Sequence, residues 1–175
     1  MSIEKVKKLE DLKEKAAQIN AERYALLKPK IPLALKSVIV EMANYLKSQG
    51  FSITYSVTSV SGFRAQYKEI DISVMASGDE LDLIGADYDI TLHYGQKKLV
   101  VRLMVNRGKS VRAPISRELD GQIDDYEKRY IPELEALDNS ELDGSYELYM
   151  NVKNQSGIQT IYFVDGKAVV DKLFE

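Results

Sequence analysis

The side chains in this sequence that could hold a metal or trade protons are carboxylates. Asp71, Asp82, Asp87 and Asp89 fall in or beside segments that alternate apolar and polar residues, where acids are otherwise depleted. Acids on facing strands supply the hard oxygen ligands that Mg²⁺ takes, while acids on the wet side of a one-sided sheet produce the same pattern with no chemistry at all. A second set is cationic. Arg107, Lys109 and Arg112 follow one another with Gly108 and Ser110 between them, and Lys97, Lys98 and Arg102 precede them. Guanidinium and ammonium groups on a glycine-containing loop suit phosphate, which they neutralise with release of counterions. Other chemistries are excluded. There is no Cys, so thiolate metal sites, cysteine nucleophiles and disulfides are out, and a lone His93 rules out any site needing two imidazoles. No Gly-x-Ser-x-Gly elbow, Gly-x-x-x-x-Gly-Lys loop or Gly-x-Gly-x-x-Gly turn occurs.

These groups sit in a chain of 175 residues with 24 Lys+Arg against 27 Asp+Glu, a net charge of −3. The sequence pI near 5.4 lies below that of a dedicated nucleic-acid binder. With 45% hydrophobic and 29% charged residues the composition is that of an ordinary globular chain able to bury a core. The charge is segregated. Residues 1–36 hold nine bases and five acids; residues 69–89 hold seven acids and no base; residues 90–115 hold six bases and no acid; residues 116–147 hold eleven acids and three bases. The first ten residues are charged where a signal peptide needs an apolar core, and no stretch approaches 18 uncharged apolar residues. The expectation is a soluble, cytoplasmic protein with no membrane contact.

The elements that must position these residues follow from hydrophobic period. Val6, Leu9, Leu12, Ala16, Ile19 and Leu26 predict an amphipathic helix over residues 3–27, with Arg23 in a seam position of an otherwise apolar stripe. Leu35, Val38, Ile39, Met42, Ala43 and Leu46 predict a second helix that Gly50 ends. After Gly50 the period becomes two. Strands are expected over Phe51 to Thr58 and, with a phase slip at Lys68-Glu69, over Phe63 to Val74. Ser61-Gly62 and Ser77 to Glu80 read as turns. Tyr88 to Tyr94 and Leu99 to Val105 flank Gly95-Gln96 as a hairpin. A helix over Ser116 to Leu137, weakened by Gly121 and kinked by Pro132, a hairpin about Asn154 to Gly157, and a last short strand after Asp165-Gly166 complete the order. The fold class is therefore α+β or α/β, a mixed and mainly antiparallel sheet flanked by helices. Residues 1–30 read as an amphipathic helical arm and 31–175 as a single domain.

The segment from Ala86 to Lys109, Asp-Tyr-Asp-Ile-Thr-Leu-His-Tyr, a Gly-Gln turn and Lys-Lys-Leu-Val-Val-Arg-Leu-Met-Val, leads to a helix with Gln122 and the aromatic pair Tyr126 and Tyr130. It resembles the core of the PD-(D/E)xK nuclease superfamily, whose hairpin carries a metal-binding Asp and then Glu-x-Lys. The resemblance implies a nuclease-like core with Asp89 at the Asp position, but it puts Arg102 and Met104 where that family has its Glu and Lys. A cation cannot hold Mg²⁺ and a thioether cannot activate water, so the resemblance implies a catalytically inactive member with no cofactor.

Register gives an independent reading. A two-residue Gly95-Gln96 turn sets Leu92 against Leu99, Ile90 against Val101 and Tyr88 against Leu103, and on the other face Asp89 against Arg102. The reading that follows is a non-catalytic binding module taking nucleic acid through Arg102, Arg107, Lys109 and Arg112, or else a protein partner. One alternative is a Mg²⁺-dependent nuclease using Asp71, Asp82, Asp87 or Asp89. Another is a small acidic inhibitor or chaperone that forms a homodimer through residues 3–27. Glu118, Asp120 and Asp124, at the start of the third helix, are the acids placed to neutralise the basic loop.

Overall fold

A computed structural model describes residues 2–56, 62–78 and 86–175. Ser61 of the first expected turn lies outside the described residues, as do Asp79 and Glu80 of the second, and Asp82. The architecture is α+β, in two compact units. Residues 1–29 and 107–143 form one; residues 30–106 and 144–175 form the other.

The second unit opens with α2 (Lys30–Ser48), ended by Gly50 in the left-handed region at φ +91°. Then come β1 (Ser52–Tyr55), β2 (Gly62–Tyr67), β3 (Ile70–Ser77), β4 (Tyr88–Tyr94) and β5 (Lys97–Val105). After the chain's excursion into the first unit, β6 (Tyr146–Asn154), β7 (Gly157–Phe163) and α5 (Gly166–Phe174) follow. The seven strands stand in sequence order and every neighbouring pair is antiparallel. Alternation fixes one buried face, with Ala65, Ile72, Val74, Ile90, Leu92, Val101, Leu103 and Leu148 pointing into the core. Val38, Ile39, Met42 and Leu46 from α2, and Val169, Val170 and Leu173 from α5, complete that core. On the other face Arg64, Met75, His93, Lys98 and Tyr162 are exposed.

The hairpin register is the one the apolar pairs demand: Leu92 opposes Leu99, Ile90 opposes Val101 and Asp89 opposes Arg102. Two expectations are corrected in this unit. The phase slip at Lys68-Glu69 is a turn joining two strands, in which Tyr67 opposes Ile70 and Lys68 takes φ +51°. The segment after Asp165 is a helix. Asp165 caps it by accepting a hydrogen bond from the Ala168 amide at 2.7 Å, and Val169, Val170 and Leu173 recur at helical spacing.

The first unit contains α1 (Ile3–Leu27), α3 (Leu119–Asp125), a π turn (Tyr126–Tyr130) and α4 (Ile131–Glu135). The third helix thus begins at Leu119 and ends at Glu135, inside the expected 116–137. Pro132 does not break it, because a proline is tolerated in the first turn of α4 and the π turn before it already interrupts the regular ladder. The α1 stripe is covered by its own chain: Leu12, Ala16 and Ile19 pack with Tyr126, Tyr130, Ile131 and Leu134. Ion pairs flank this contact, Lys5 with Asp120, Lys8 with Glu127 and Lys15 with Glu135, each at 2.7 Å. The partners advance together, so α1 runs parallel to the helix from 119 to 135.

Candidate functional site

The hairpin β4–β5 brings Asp89 and Arg102 together on the open face, with Arg102 Nε 3.5 Å from Asp89 Oδ1 and side chains 30% and 21% exposed. The contact is ionic: Asp89 Oδ1 is buried and makes no hydrogen bond. The other carboxylates lie elsewhere. Asp71, on β3, forms a two-pronged pair with Arg64 of β2, Arg64 Nε donating at 2.7 Å and Nη2 closing the fork. That hydrogen-bonded guanidinium holds the Asp71 carboxyl below the usual carboxylate range. Asp87 Oδ2 accepts the Val105 amide at 2.7 Å, closing the end of the hairpin. Among the described residues no three His, Asp or Glu side chains are grouped to hold a metal ion.

Continuing across the sheet from Asp89 and Arg102, register places Tyr149 of β6 against Arg102 and Tyr162 of β7 against Tyr149. The two tyrosine rings stand 6.0 Å apart, tilted by 43°, and Tyr162 is 65% exposed. A guanidinium and two aromatic rings therefore form a row over three neighbouring strands. His93 and Lys98, opposed on the same face, are exposed. The tyrosines escaped the sequence reading, although the alternation Leu148, Tyr149, Met150 already puts Tyr149 opposite the core face.

The remaining basic residues belong to the first unit. Its loop carries Arg107, Lys109 and Arg112, so Arg102 and these three fall in different units. Lys109 is held by Glu141, which accepts its amide at 2.8 Å and stands 3.4 Å from its ammonium. The amide bond is the main reason that the Glu141 carboxyl sits below its usual range. Two of the three expected neutralising acids take other partners: Asp120 pairs with Lys5, and Asp124 with Lys128 at 2.9 Å. They are committed because α3 lies along basic α1 and because Asp124 and Lys128 share one helix face. The Arg112 carbonyl accepts both Nη groups of Arg129 at 3.1 Å, while its side chain is exposed. Gly108 takes φ +64°, and a Cβ there would lie 3.1 Å from Glu141 Oε2 and 3.5 Å from Arg23 Nη2. Arg107, Lys109 and Ser110, with Arg23 of α1, line a cavity of about 250 Å³ in this unit. Arg23 was missed as a site residue; the signal was its charged side chain in an apolar seam.

Comparison with protein-family models finds no matching family, and no match arises among curated proteins or solved structures. No described helix is long and apolar enough to cross a membrane.

Proposed function

We propose that this protein is a non-catalytic binding module that takes single-stranded nucleic acid on the open face of its sheet. The row Arg102, Tyr149 and Tyr162 carries the reading. Every base has a π-face, so aromatic rings on adjacent strands, Tyr162 exposed and Tyr149 half-buried, stack successive bases whatever the sequence, at about 1–3 kcal/mol per base. A guanidinium beside them serves phosphate or stacks in turn. Lys98 adds charge on the same face. Against metal-dependent hydrolysis stand the engagements of the carboxylates, Asp89 with Arg102, Asp71 with Arg64 and Asp87 with the Val105 amide. This agrees with the resemblance to a nuclease hairpin that lacks its Glu and Lys.

The test is fluorescence anisotropy with labelled single- and double-stranded oligonucleotides at about 50 mM salt. Single strands should bind in preference to duplex, and replacing Tyr149 and Tyr162 together by Ala should weaken binding at least tenfold, about 1.4 kcal/mol. No cleavage should appear with Mg²⁺ or Mn²⁺. Binding no tighter than about 100 μM, weaker than almost all of the usual non-specific range, would refute the reading. So would metal-dependent cleavage abolished by Asp89→Ala. A second reading, a protein partner, is favoured by Ile158 and Tyr162, both exposed on edge strand β7, where an extended segment can add to the sheet.

A further inference from the structure

Strand β7 is an edge of the sheet, and nothing in its sequence blunts that edge. Edges are ordinarily kept short, charged, broken by proline or covered, because their unpaired N–H and C=O groups template another strand. The opposite edge obeys this rule, β1 having only four residues. Strand β7 has seven, Gly157–Phe163, and from Asn154 to Val164 the chain carries no charged residue and no proline. Asn154 and Gly157 close a two-residue turn as a hydrogen-bonded pair, so alternation along the ladder turns the N–H and C=O of Ile158, Thr160 and Tyr162 outward. Among the described residues no backbone group outside the ladder bonds to them. The side chains of all three stand on the open face and are exposed.

From this edge we infer that two copies of the chain join through β7, antiparallel about a two-fold axis at Thr160. The strand's own sequence selects a second copy as the partner. Thr160 is its middle residue, so this register alone pairs all seven residues, with Gly157 against Phe163 of the second copy at either end. The outward backbone groups of the two copies then coincide, giving two N–H···O=C bonds at each of three pairs: 158 with 162, 160 with 160, and 162 with 158. On the open face the same register sets Ile158 against Tyr162 of the second copy and Thr160 against its own symmetry mate. Both are favourable cross-strand pairs, β-branched with aromatic and Thr with Thr. No charge opposes a like charge along the contact, since the strand has none. An isologous contact of this kind closes at two copies. It is smaller than a standard interface, which sets the expected Kd at about 10–100 μM. The inference goes beyond the nucleic-acid reading and makes this chain the partner of the β7 edge. It also lays two open faces side by side, so that the row Arg102, Tyr149 and Tyr162 runs on to Ile158 of the second copy and to Lys153, which opposes that Ile158.

Sedimentation equilibrium of the full chain without nucleic acid, at about 1–500 μM, is the test, since a dimer of this affinity forms within that range. The mass should rise from 19.8 kDa toward twice that value. Thr160→Lys would set two ammonium groups face to face across the axis, and Thr160→Glu two carboxylates. Each should weaken association at least tenfold, and an equimolar mixture of the two variants should restore it, because opposite charges then meet only if Thr160 lies on the axis. A second measurement carries the test if the charged variants fail to fold. The chain has no Cys, and the two Thr160 Cα atoms would stand about 5.5 Å apart, within disulfide reach. Oxidised Thr160→Cys should therefore become a covalent dimer, while Thr54→Cys on the opposite edge should not. A monomer throughout the concentration range would overturn the inference. So would association indifferent to Thr160→Lys, a mixture of folded charge variants that stays monomeric, or equal cross-linking from Thr160→Cys and Thr54→Cys. Oligonucleotide binding has no part in these measurements, so their outcome and that of the sheet-face test are read separately.

Discussion

Truncation of Leu46 tests whether the α2 face that the sequence patterns as apolar holds the second unit together. Leu46 is 1% exposed, and Leu→Ala removes about three carbons. At about 0.8 kcal/mol per buried CH₂ the lost transfer energy is about 2.4 kcal/mol. A rigid surround of Ile39, Met42 and the sheet leaves a cavity, which raises the cost to about 3–4 kcal/mol, within the range of about 2–5 seen for such substitutions. Leu33, on the same helix but 63% exposed, is the internal control, and Leu33→Ala should change stability by less than about 0.5 kcal/mol. Urea denaturation followed by circular dichroism reads both variants. With a slope near 2 kcal/mol per M, Leu46→Ala should lower the midpoint by about 1.5–2 M and Leu33→Ala by less than about 0.3 M, at unchanged slope. Equal shifts in the two variants, or a Leu46→Ala shift below about 0.5 M, would show that this face is not the core and would refute the assignment of α2 to the sheet.

Asp71, Asp125, Asp138 and Glu141 are all held below their ordinary ranges, chiefly by hydrogen bonds from Arg64, Arg129, the Ser140 hydroxyl and the Lys109 amide respectively. Depressed folded pKa values mean that the unfolded chain binds protons first, so their contribution is complete above about pH 4–4.5 and is lost as pH falls through the folded values. The melting temperature should hold between about pH 7 and pH 5 and drop below about pH 4. Carboxyl NMR should find the Asp125 midpoint below that of an ordinary Asp and rising in Arg129→Gln; a midpoint indifferent to that change would show the ion pair to be absent in solution. Gly62→Ala should prise β2 from β3, since a Cβ there would stand 2.4 Å from the Val74 carbonyl oxygen. Overpacking of this kind costs about 1–3 kcal/mol, so amide exchange at Phe63 should accelerate at least fivefold, and unaltered protection would refute the close approach.

How far the sequence revealed the structure depended on whether one short stretch carried the deciding information. The β4–β5 register was legible because both faces spoke: three apolar pairs agree on one side and an opposite-charge pair on the other. Helix α2 was legible because its apolar stripe is wide and a glycine ends it. The last helix was not, because Val169 and Val170 are β-branched and suggest a strand, while the deciding interaction is the Asp165 cap. The blocks of opposite charge were visible, but their meaning was not. Lys5, Lys8 and Lys15 find Asp120, Glu127 and Glu135 only because α1 packs beside a helix more than 90 residues further on. The same distance hid Arg23, which becomes a cavity residue only when loop 107–111 folds over it.

That distance also has a consequence in time. The first unit is assembled from the beginning of the chain and a segment that starts at Arg107, with most of a sheet made in between. On a ribosome adding about 5–20 residues per second, roughly 5–20 s pass between completion of α1 and the appearance of the helix that covers it. During that interval Leu12, Ala16 and Ile19 form a greasy strip on a basic helix without its counterpart, while the strands before Arg107 are free to pair as they emerge. Nascent chains of this protein should therefore engage holdase chaperones through α1, and release should follow synthesis of residues 126–137 rather than completion of the first five strands.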